Sequence, residues 1–229
     1  MNSLERMMAA VRGEPFDVYP FVNPYPGWSM MPHWPEMLGL TFLHLGHGTD
    51  EQRMRCYGAF HEVIGLDWMP IPSGPTGQDR RYRIEDEEGA PVLVDTVENT
   101  RVRYDEFPKD SPVFEPKFRS AQEVERLPPP PTAEELLAGD ALDMTRKVVE
   151  RYGDTVFLVD QNSAPYARCY YALGFAKLFD ALVSEHDLLY ALLERYTELL
   201  IQGAKVLGLL GVLGMRMQDF FCSALLISV

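Results

Sequence analysis

The sequence alternates short apolar runs with longer segments of helical periodicity, and this alternation constrains the fold more than any other feature. The runs are nearly continuous, as in strands that are buried on both faces of a sheet. They read DVYPFVNP at 17–24, LDWMPI at 66–71, TVFLVD at 155–160 and GMRMQD at 214–219. Strands and helices in alternation predict a parallel sheet covered by helices. We therefore expect an α/β fold of the (β/α)8 TIM-barrel class with about four parallel strands.

Capping and stop residues mark the helices that connect these runs. A capping box of Asn2 and Glu5 begins the first helix, and one of Thr132 and Glu135 begins another. The predicted helices cover 2–13, 49–65, 132–152, about 171–183 and 187–209.

Residues 80–107 differ from the rest of the chain, because charged and apolar side chains alternate there around a turn at 87–90. Such alternation indicates antiparallel strands with one face toward solvent. We expect an antiparallel β excursion at this point of the α/β fold.

The number of apolar runs indicates whether the predicted barrel is complete. Four parallel strands make half of an eight-stranded barrel, and the sequence ends ten residues after the fourth run. Half a barrel leaves strand edges and an apolar face open. We therefore expect residues 1–229 to form a single domain that is an incomplete, C-terminally truncated barrel, or one that pairs with a second copy as a homodimer.

Composition disfavours several classes of partner. Acidic residues outnumber basic ones by 34 to 21, and the net charge of -13 repels phosphate backbones and anionic membranes. Glu5 and Arg6 interrupt any signal peptide, and Gln202 and Lys205 interrupt the longest apolar region. The three cysteines are too dispersed for a disulfide framework. We expect a cytoplasmic protein with no nucleic acid or membrane partner and with buried thiols.

Four stretches resemble the uroporphyrinogen decarboxylase superfamily in order and spacing. They are VRGEPFDVYPF, NSAPYARCYYALG, VSEHDLLYALLERYTELL and GMRMQDFFCSALLIS. Members of that superfamily are (β/α)8 barrels of greater length than this chain. The resemblance implies one of two activities, which are decarboxylation of uroporphyrinogen in tetrapyrrole synthesis and methyl transfer to or from corrinoids and thiols with a bound zinc.

The departures from the family pattern favour methyl transfer. Decarboxylases carry an Arg-Gln-Ala-Gly-Arg stretch after the first strand, which grips substrate carboxylates, whereas residues 23–34 here read NPYPGWSMMPHW without arginine. The aspartate expected after the second strand is also missing. We expect a corrinoid-linked methyltransferase; the alternatives are the decarboxylase and an inactive or purely binding half-barrel.

The resemblance also implies the cofactors and partners. The methyltransferase branch binds zinc through a His-x-Cys pair and a second Cys, all in the half of the barrel that this sequence lacks, so no metal ligand is assigned here. His44 and His47 have the spacing of a ligand pair, but no third ligand lies at a suggestive distance, and packing among aromatic residues is the alternative. A corrinoid would be the co-substrate, carried by a corrinoid protein; a decarboxylase would bind a tetrapyrrole and need no cofactor.

Candidate site residues follow from the position of strand ends. In a parallel barrel the carboxyl ends of the strands form the active face, where Asn23, the stretch 160–163 and Asp219 would meet. Tyr171 matches the substrate-contacting tyrosine of the family, and Asp219 matches an acidic position, so these two are the catalytic candidates. The substrate-binding candidates are Asn23, Trp28, Asn162, Ser163 and Arg168. Five of them have a structural alternative: a core aromatic for Tyr171, a helix cap or turn for Asp219, local backbone bonding for the two asparagines and an acidic neighbour for Arg168.

Overall fold

The computed structural model describes residues 1–23, 30–72, 82–97, 99–104 and 115–218. The chain divides into two compact units. The first unit comprises Met1–Lys109, Gly139–Asp160 and Leu210–Gly214, and the second comprises Asp110–Ala138, Gln161–Leu209 and Met215–Val229. None of the described helices has both the length and the apolar character that a membrane crossing requires.

The parallel sheet consists, in the described chain, of β1 (Trp68–Pro70), β5 (Phe157–Ser163) and β6 (Gly214–Gln218), in the order β1-β5-β6. β1 and β5 run parallel, and the pairing continues past β1 through a 3.0 Å hydrogen bond from Ile71 N to Val159 O. Helices occur in the sequence between β1 and β5 and between β5 and β6. The predicted α/β architecture with a parallel sheet is therefore confirmed.

The first predicted strand, at 17–24, does not form a regular strand in residues 17–23, the part that is described. One backbone hydrogen bond of 2.8 Å joins Asp67 N to Phe21 O. Tyr19 is 84% exposed and Phe21 is 54% exposed. The prediction of a buried strand here was wrong, because Pro20 interrupts the run and has no N–H to donate to a ladder. The described sheet has three parallel strands where the sequence predicted about four.

The antiparallel excursion is confirmed as a separate sheet. It consists of β2 (Tyr82–Glu87), β3 (Ala90–Asp95) and β4 (Thr100–Arg103), in the order β2-β3-β4. Glu88 and Gly89 connect the first two strands with φ values of 54° and 81°. Two positive φ values are what a two-residue type I′ hairpin turn requires.

The helices largely follow their predicted caps. In chain order they are α1 (Ser3–Arg12), α2 (Trp34–Leu38), α3 (Phe42–His47), α4 (Asp50–Glu62), α5 (Ala121–Glu125), α6 (Ala133–Ala138), α7 (Asp143–Tyr152), α8 (Pro165–Val183) and α9 (His186–Leu209). Asn2 and Glu5 form the predicted capping box of α1. Thr132 and Glu135 also exchange their capping hydrogen bonds, at 2.8 and 3.3 Å.

Two helix predictions need correction. The helix predicted over 132–152 is two helices, α6 and α7, because Gly139 and Asp140 are poor helix formers and interrupt it. α8 begins at Pro165 rather than near Tyr171, and proline is well suited to a first helical position.

In the first unit, α4 packs against β1. The helix carries Arg53, Cys56, Tyr57 and Phe60, all buried. This spacing of i, i+3, i+4 and i+7 is that of one helix face. Burial raises the pKa of the Cys56 thiol to about 12, so the thiol stays protonated near neutral pH.

In the second unit, α8 and α9 pack against each other and carry most of the apolar core. The buried members of this core are Val124, Cys169, Leu173, Leu178, Ala181, Leu188, Leu189 and Leu192. Gly174 interrupts α8 with φ 70° and ψ 172° and produces a kink. This backbone conformation is essentially restricted to glycine.

Candidate functional site

The carboxyl end of β5 and the first turns of α8 carry four of the predicted site residues. β5 continues through Ser163, so Asn162 and Ser163 are its last two residues and do not lie in a strand-to-helix loop as the sequence had suggested. Ala164 caps α8, and Pro165 is its first residue. The polar end of a strand therefore connects to a helix through a single residue.

Arg168 joins this helix to the end of the strand. Its Nη2 donates a short hydrogen bond to Oδ1 of Asn162, and its Nε donates to the carbonyl oxygen of Ser163 at 3.2 Å. All three residues are half-buried. The sequence alternative for Arg168 was an acidic neighbour, but its described hydrogen bonds go to a neutral amide and a carbonyl.

Tyr171 lies in the interior of α8, next to Tyr170. The ring centroids are 5.6 Å apart, with an angle of 54° between the planes. Tyr170 packs against the apolar core of the second unit, whereas Tyr171 is half-buried and is not among the residues that form that core in the described chain. Tyr171 therefore keeps its place as the candidate for substrate contact.

In the first unit, buried polar groups collect beside the end of β1. Asp160 is fully buried and follows Val159, which is opposite Pro70 in the register. Thr145 of α7 is also fully buried, and its Oγ1 donates a 3.0 Å hydrogen bond to the carbonyl oxygen of Pro72. Ligand sites of parallel α/β sheets lie at this edge.

Sequence analysis missed one buried charged residue of the first unit, which is Arg53 in the first turns of α4. Arg53 is only 5% exposed. Its position three, four and seven residues before Cys56, Tyr57 and Phe60 could have identified it as a charge on an inward helix face.

The remaining candidates have separate locations. The carbonyl oxygen of Asn23 accepts a 3.1 Å hydrogen bond from Nε1 of Trp68, which holds Asn23 beside β1. Trp28 and Asp219 lie outside the described residues.

The two histidines of the HLGH stretch have different surroundings. His44 is buried, and its Nδ1 accepts the N–H of Thr41 at 2.9 Å. Burial lowers the pKa of His44, which favours the neutral ring. The ring of His47 contacts that of Tyr82, at 5.2 Å between centroids. Within the described residues, no three His, Cys, Asp or Glu side chains are grouped as a metal site requires.

Comparison with known proteins finds a matching family and solved structures of similar fold. Residues 99–228 match the family described as Uroporphyrinogen decarboxylase (URO-D). The whole structure is similar to that of a methyltransferase from Methanosarcina mazei, with a TM-score of 0.55 and 19% sequence identity over 95% of this chain. The chain spans 58% of the length of that methyltransferase, and at this identity the similarity shows the fold alone. No curated protein matches the chain.

Proposed function

Since the chain belongs to the uroporphyrinogen decarboxylase (URO-D) family, we propose that it takes part in methyl transfer, as the methyl-transferring branch of that superfamily does. The methyl group would pass between a small methylated substrate or thiol and a corrinoid that a separate protein carries. The methyltransferase from Methanosarcina mazei has a similar fold, so the fold is compatible with this branch.

The observation that carries the proposal is that Arg168 forms its hydrogen bonds within the protein. Its guanidinium already donates to Asn162 and to the carbonyl of Ser163. A decarboxylase substrate with many carboxylates needs several free guanidinium groups as bidentate partners. The described end of β5 offers amide and hydroxyl groups instead, which suit a small, weakly charged substrate.

The roles of the residues follow from this arrangement. Arg168 would hold Asn162 in one orientation, so that the strand end presents a fixed polar surface to the substrate. Tyr171 would contact the substrate through its hydroxyl. In the transfer itself, the donor atom keeps the electron pair of the broken bond to the methyl carbon, and an electron pair of the acceptor forms the new bond.

Zinc, when bound, would activate a thiol or a leaving group as a Lewis acid. The described residues do not provide three clustered ligands for it. We therefore expect its ligands outside the described residues and assign no step of the reaction to the metal.

Methyl transfer can be tested directly with the purified protein. The protein is mixed with methylcobalamin, a thiol and zinc, and the visible spectrum is followed together with the methylated thiol. Protein-dependent loss of methylcobalamin with matching thioether formation supports the proposal. Formation of a product with fewer carboxylates from uroporphyrinogen contradicts it, as does the absence of transfer with a panel of thiols and methylated donors.

Substitutions of the neighbouring Tyr170 and Tyr171 provide a matched pair of variants that tests the site. Tyr171→Phe should lower the transfer rate about tenfold or more, because one substrate hydrogen bond in the transition state is worth this much. Tyr170→Phe should leave the rate unchanged, since that ring packs against the core. Equal rates for the two variants would remove Tyr171 from the site.

A further inference from the structure

Arg53 is a buried cation with an unused hydrogen-bond donor. Its Nε donates a long hydrogen bond of 3.4 Å to the carbonyl oxygen of Leu45. Its Nη2 is buried and has no hydrogen-bond acceptor among the described residues, and no described carboxylate forms an ion pair with it. Arg6 of the same unit differs, because its guanidinium pairs with both Asp17 and Asp67.

An unpaired guanidinium in a protein interior is unfavourable. Removing the charge from water carries a large penalty, which a single long hydrogen bond to a carbonyl does not offset. Arg53 also remains charged, since the guanidinium does not lose its proton in proteins. A buried charge of this kind is balanced by an anion, and the described part of the chain does not supply one.

The course of the chain places Arg53 near the carboxyl end of β1. α4 is followed by a turn at Gly65, where φ is 77°, and the chain then returns as β1, against which α4 packs. From Glu62, the last residue of α4, back to Arg53 the helix rises by about 14 Å. From Leu66 forward to Pro70, the last residue of β1, the extended chain advances by about 13 Å. The two residues therefore lie at similar heights.

Contacts between α4 and α7 agree with this placement. Lys147 in α7 forms an ion pair with Asp50 at the start of α4. Thr145, also in α7, donates its hydroxyl to the carbonyl of Pro72, just beyond β1. The first turns of both helices therefore lie at the edge of the sheet where parallel α/β proteins bind their ligands.

We propose that Arg53 binds an oxyanion, the carboxylate or phosphate group of a small ligand, at the carboxyl end of β1. One guanidinium matches one such group in charge and donor geometry. This site goes beyond the proposed methyl transfer and does not depend on it, and its test measures thermal stability rather than turnover.

The test is a thermal unfolding series of the whole chain with inorganic phosphate or acetate at constant ionic strength, with chloride as the reference. For the wild type, the melting temperature should rise saturably with at least one probe, by about 3–6 °C at ten times its dissociation constant. A phosphate response assigns a phosphate-bearing ligand, and an acetate response assigns a carboxylate.

Two substitutions on α4 separate site binding from general salt effects. Arg53→Met keeps an unbranched side chain and removes the charge, so it should abolish the saturable rise without lowering the melting temperature measured in chloride. Arg55→Met removes the same charge from an exposed position two residues away and should leave the rise intact.

Three results would overturn the proposal. One is a wild type that responds to neither probe, which decides the question even if Arg53→Met does not fold. The second is an equal response of the wild type and Arg53→Met. The third is a large loss of stability in Arg53→Met in chloride, because this would mean that an acidic side chain of the chain itself balances Arg53.

Discussion

The backbone N–H of Phe21 donates a 2.7 Å hydrogen bond to Oδ2 of Asp67. Oδ1 of the same carboxylate accepts the hydroxyl of Ser3 at 2.7 Å and the guanidinium of Arg6. Asp67 immediately precedes β1, so one buried carboxylate attaches both α1 and the segment that leads to Asn23 to the sheet.

Replacing Asp67 should therefore weaken the attachment of both α1 and the segment that leads to Asn23, and so destabilise the first unit. We expect Asp67→Ala to lower the free energy of unfolding by about 2–4 kcal/mol, because it removes the acceptor of the Ser3 hydroxyl, of the Phe21 N–H and of one N–H group of Arg6. Urea denaturation measures the change. Asp17→Ala is the control, since Asp17 pairs with Arg6 at the surface and its loss should lower stability much less. Similar losses in both variants would contradict this account of Asp67.

A second prediction concerns Gly58, where α4 passes close to Tyr152. The Tyr152 hydroxyl donates a 2.7 Å hydrogen bond to Oε1 of Glu62, and a Cβ atom on Gly58 would overlap that hydroxyl. Gly58→Ala should lower the free energy of unfolding, although alanine is otherwise preferred in helices by about 1 kcal/mol.

The overlap can be tested with a double-mutant cycle. Tyr152→Phe removes the oxygen that a Cβ on Gly58 would meet, so the double variant should be more stable than the sum of the two single changes predicts. Additive losses in urea denaturation would show that the overlap does not occur.

Alkaline pH should destabilise the protein through its buried acids. Burial and the hydrogen bond to Glu62 raise the pKa of Tyr152 from 10.0 to about 12, and burial raises that of the Cys56 thiol from 9.0 to about 12. Both groups favour the folded state while protonated. Their contribution is complete below the unfolded values and is lost as the pH rises to about 12.

The measurement is the urea midpoint between pH 8 and pH 12. The midpoint should be insensitive to these groups at the lower end and fall above about pH 9. Tyr152→Phe should reduce the fall above pH 10, and an unchanged profile in that variant would exclude Tyr152 as a contributor.

The kink in α8 leads to a further prediction, which concerns Gly174. Gly174→Ala places a Cβ on a backbone with φ 70° and ψ 172° and should lower the free energy of unfolding by about 1–3 kcal/mol. The matched control is Gly203→Ala in α9, where a Cβ meets nothing within 4 Å. That change should raise stability by about 0.5–1 kcal/mol. A gain in both variants would mean that the kink is not required.

Features with a local cause were predictable from sequence. The capping box at Asn2, the hairpin turn at 88–89 and the apolar runs of the sheet each depend on residues that are close in the chain. The α/β class and the family resemblance followed from the same local patterns and are confirmed.

Features decided by context were not predictable. Pro20 lies in an apolar run that the described structure leaves outside the sheet, which composition alone does not reveal. β5 continues through polar residues to Ser163, although polarity suggested a loop. The pairing of Arg168 with Asn162 depends on the geometry of the junction between β5 and α8. Arg53 was missed because a cation at an inward position contradicts the apolar pattern that locates helices.

The two buried cysteines allow the units to be monitored separately. Cys56 belongs to the first unit and Cys169 to the second, and both thiols are buried. Alkylation can reach each thiol only when its own surroundings open. In a Cys222→Ser background, pulsed alkylation followed by peptide mass spectrometry would therefore time the opening of each unit. Equal rates at the two positions would identify one cooperative unfolding event, and unequal rates would identify the unit that opens first.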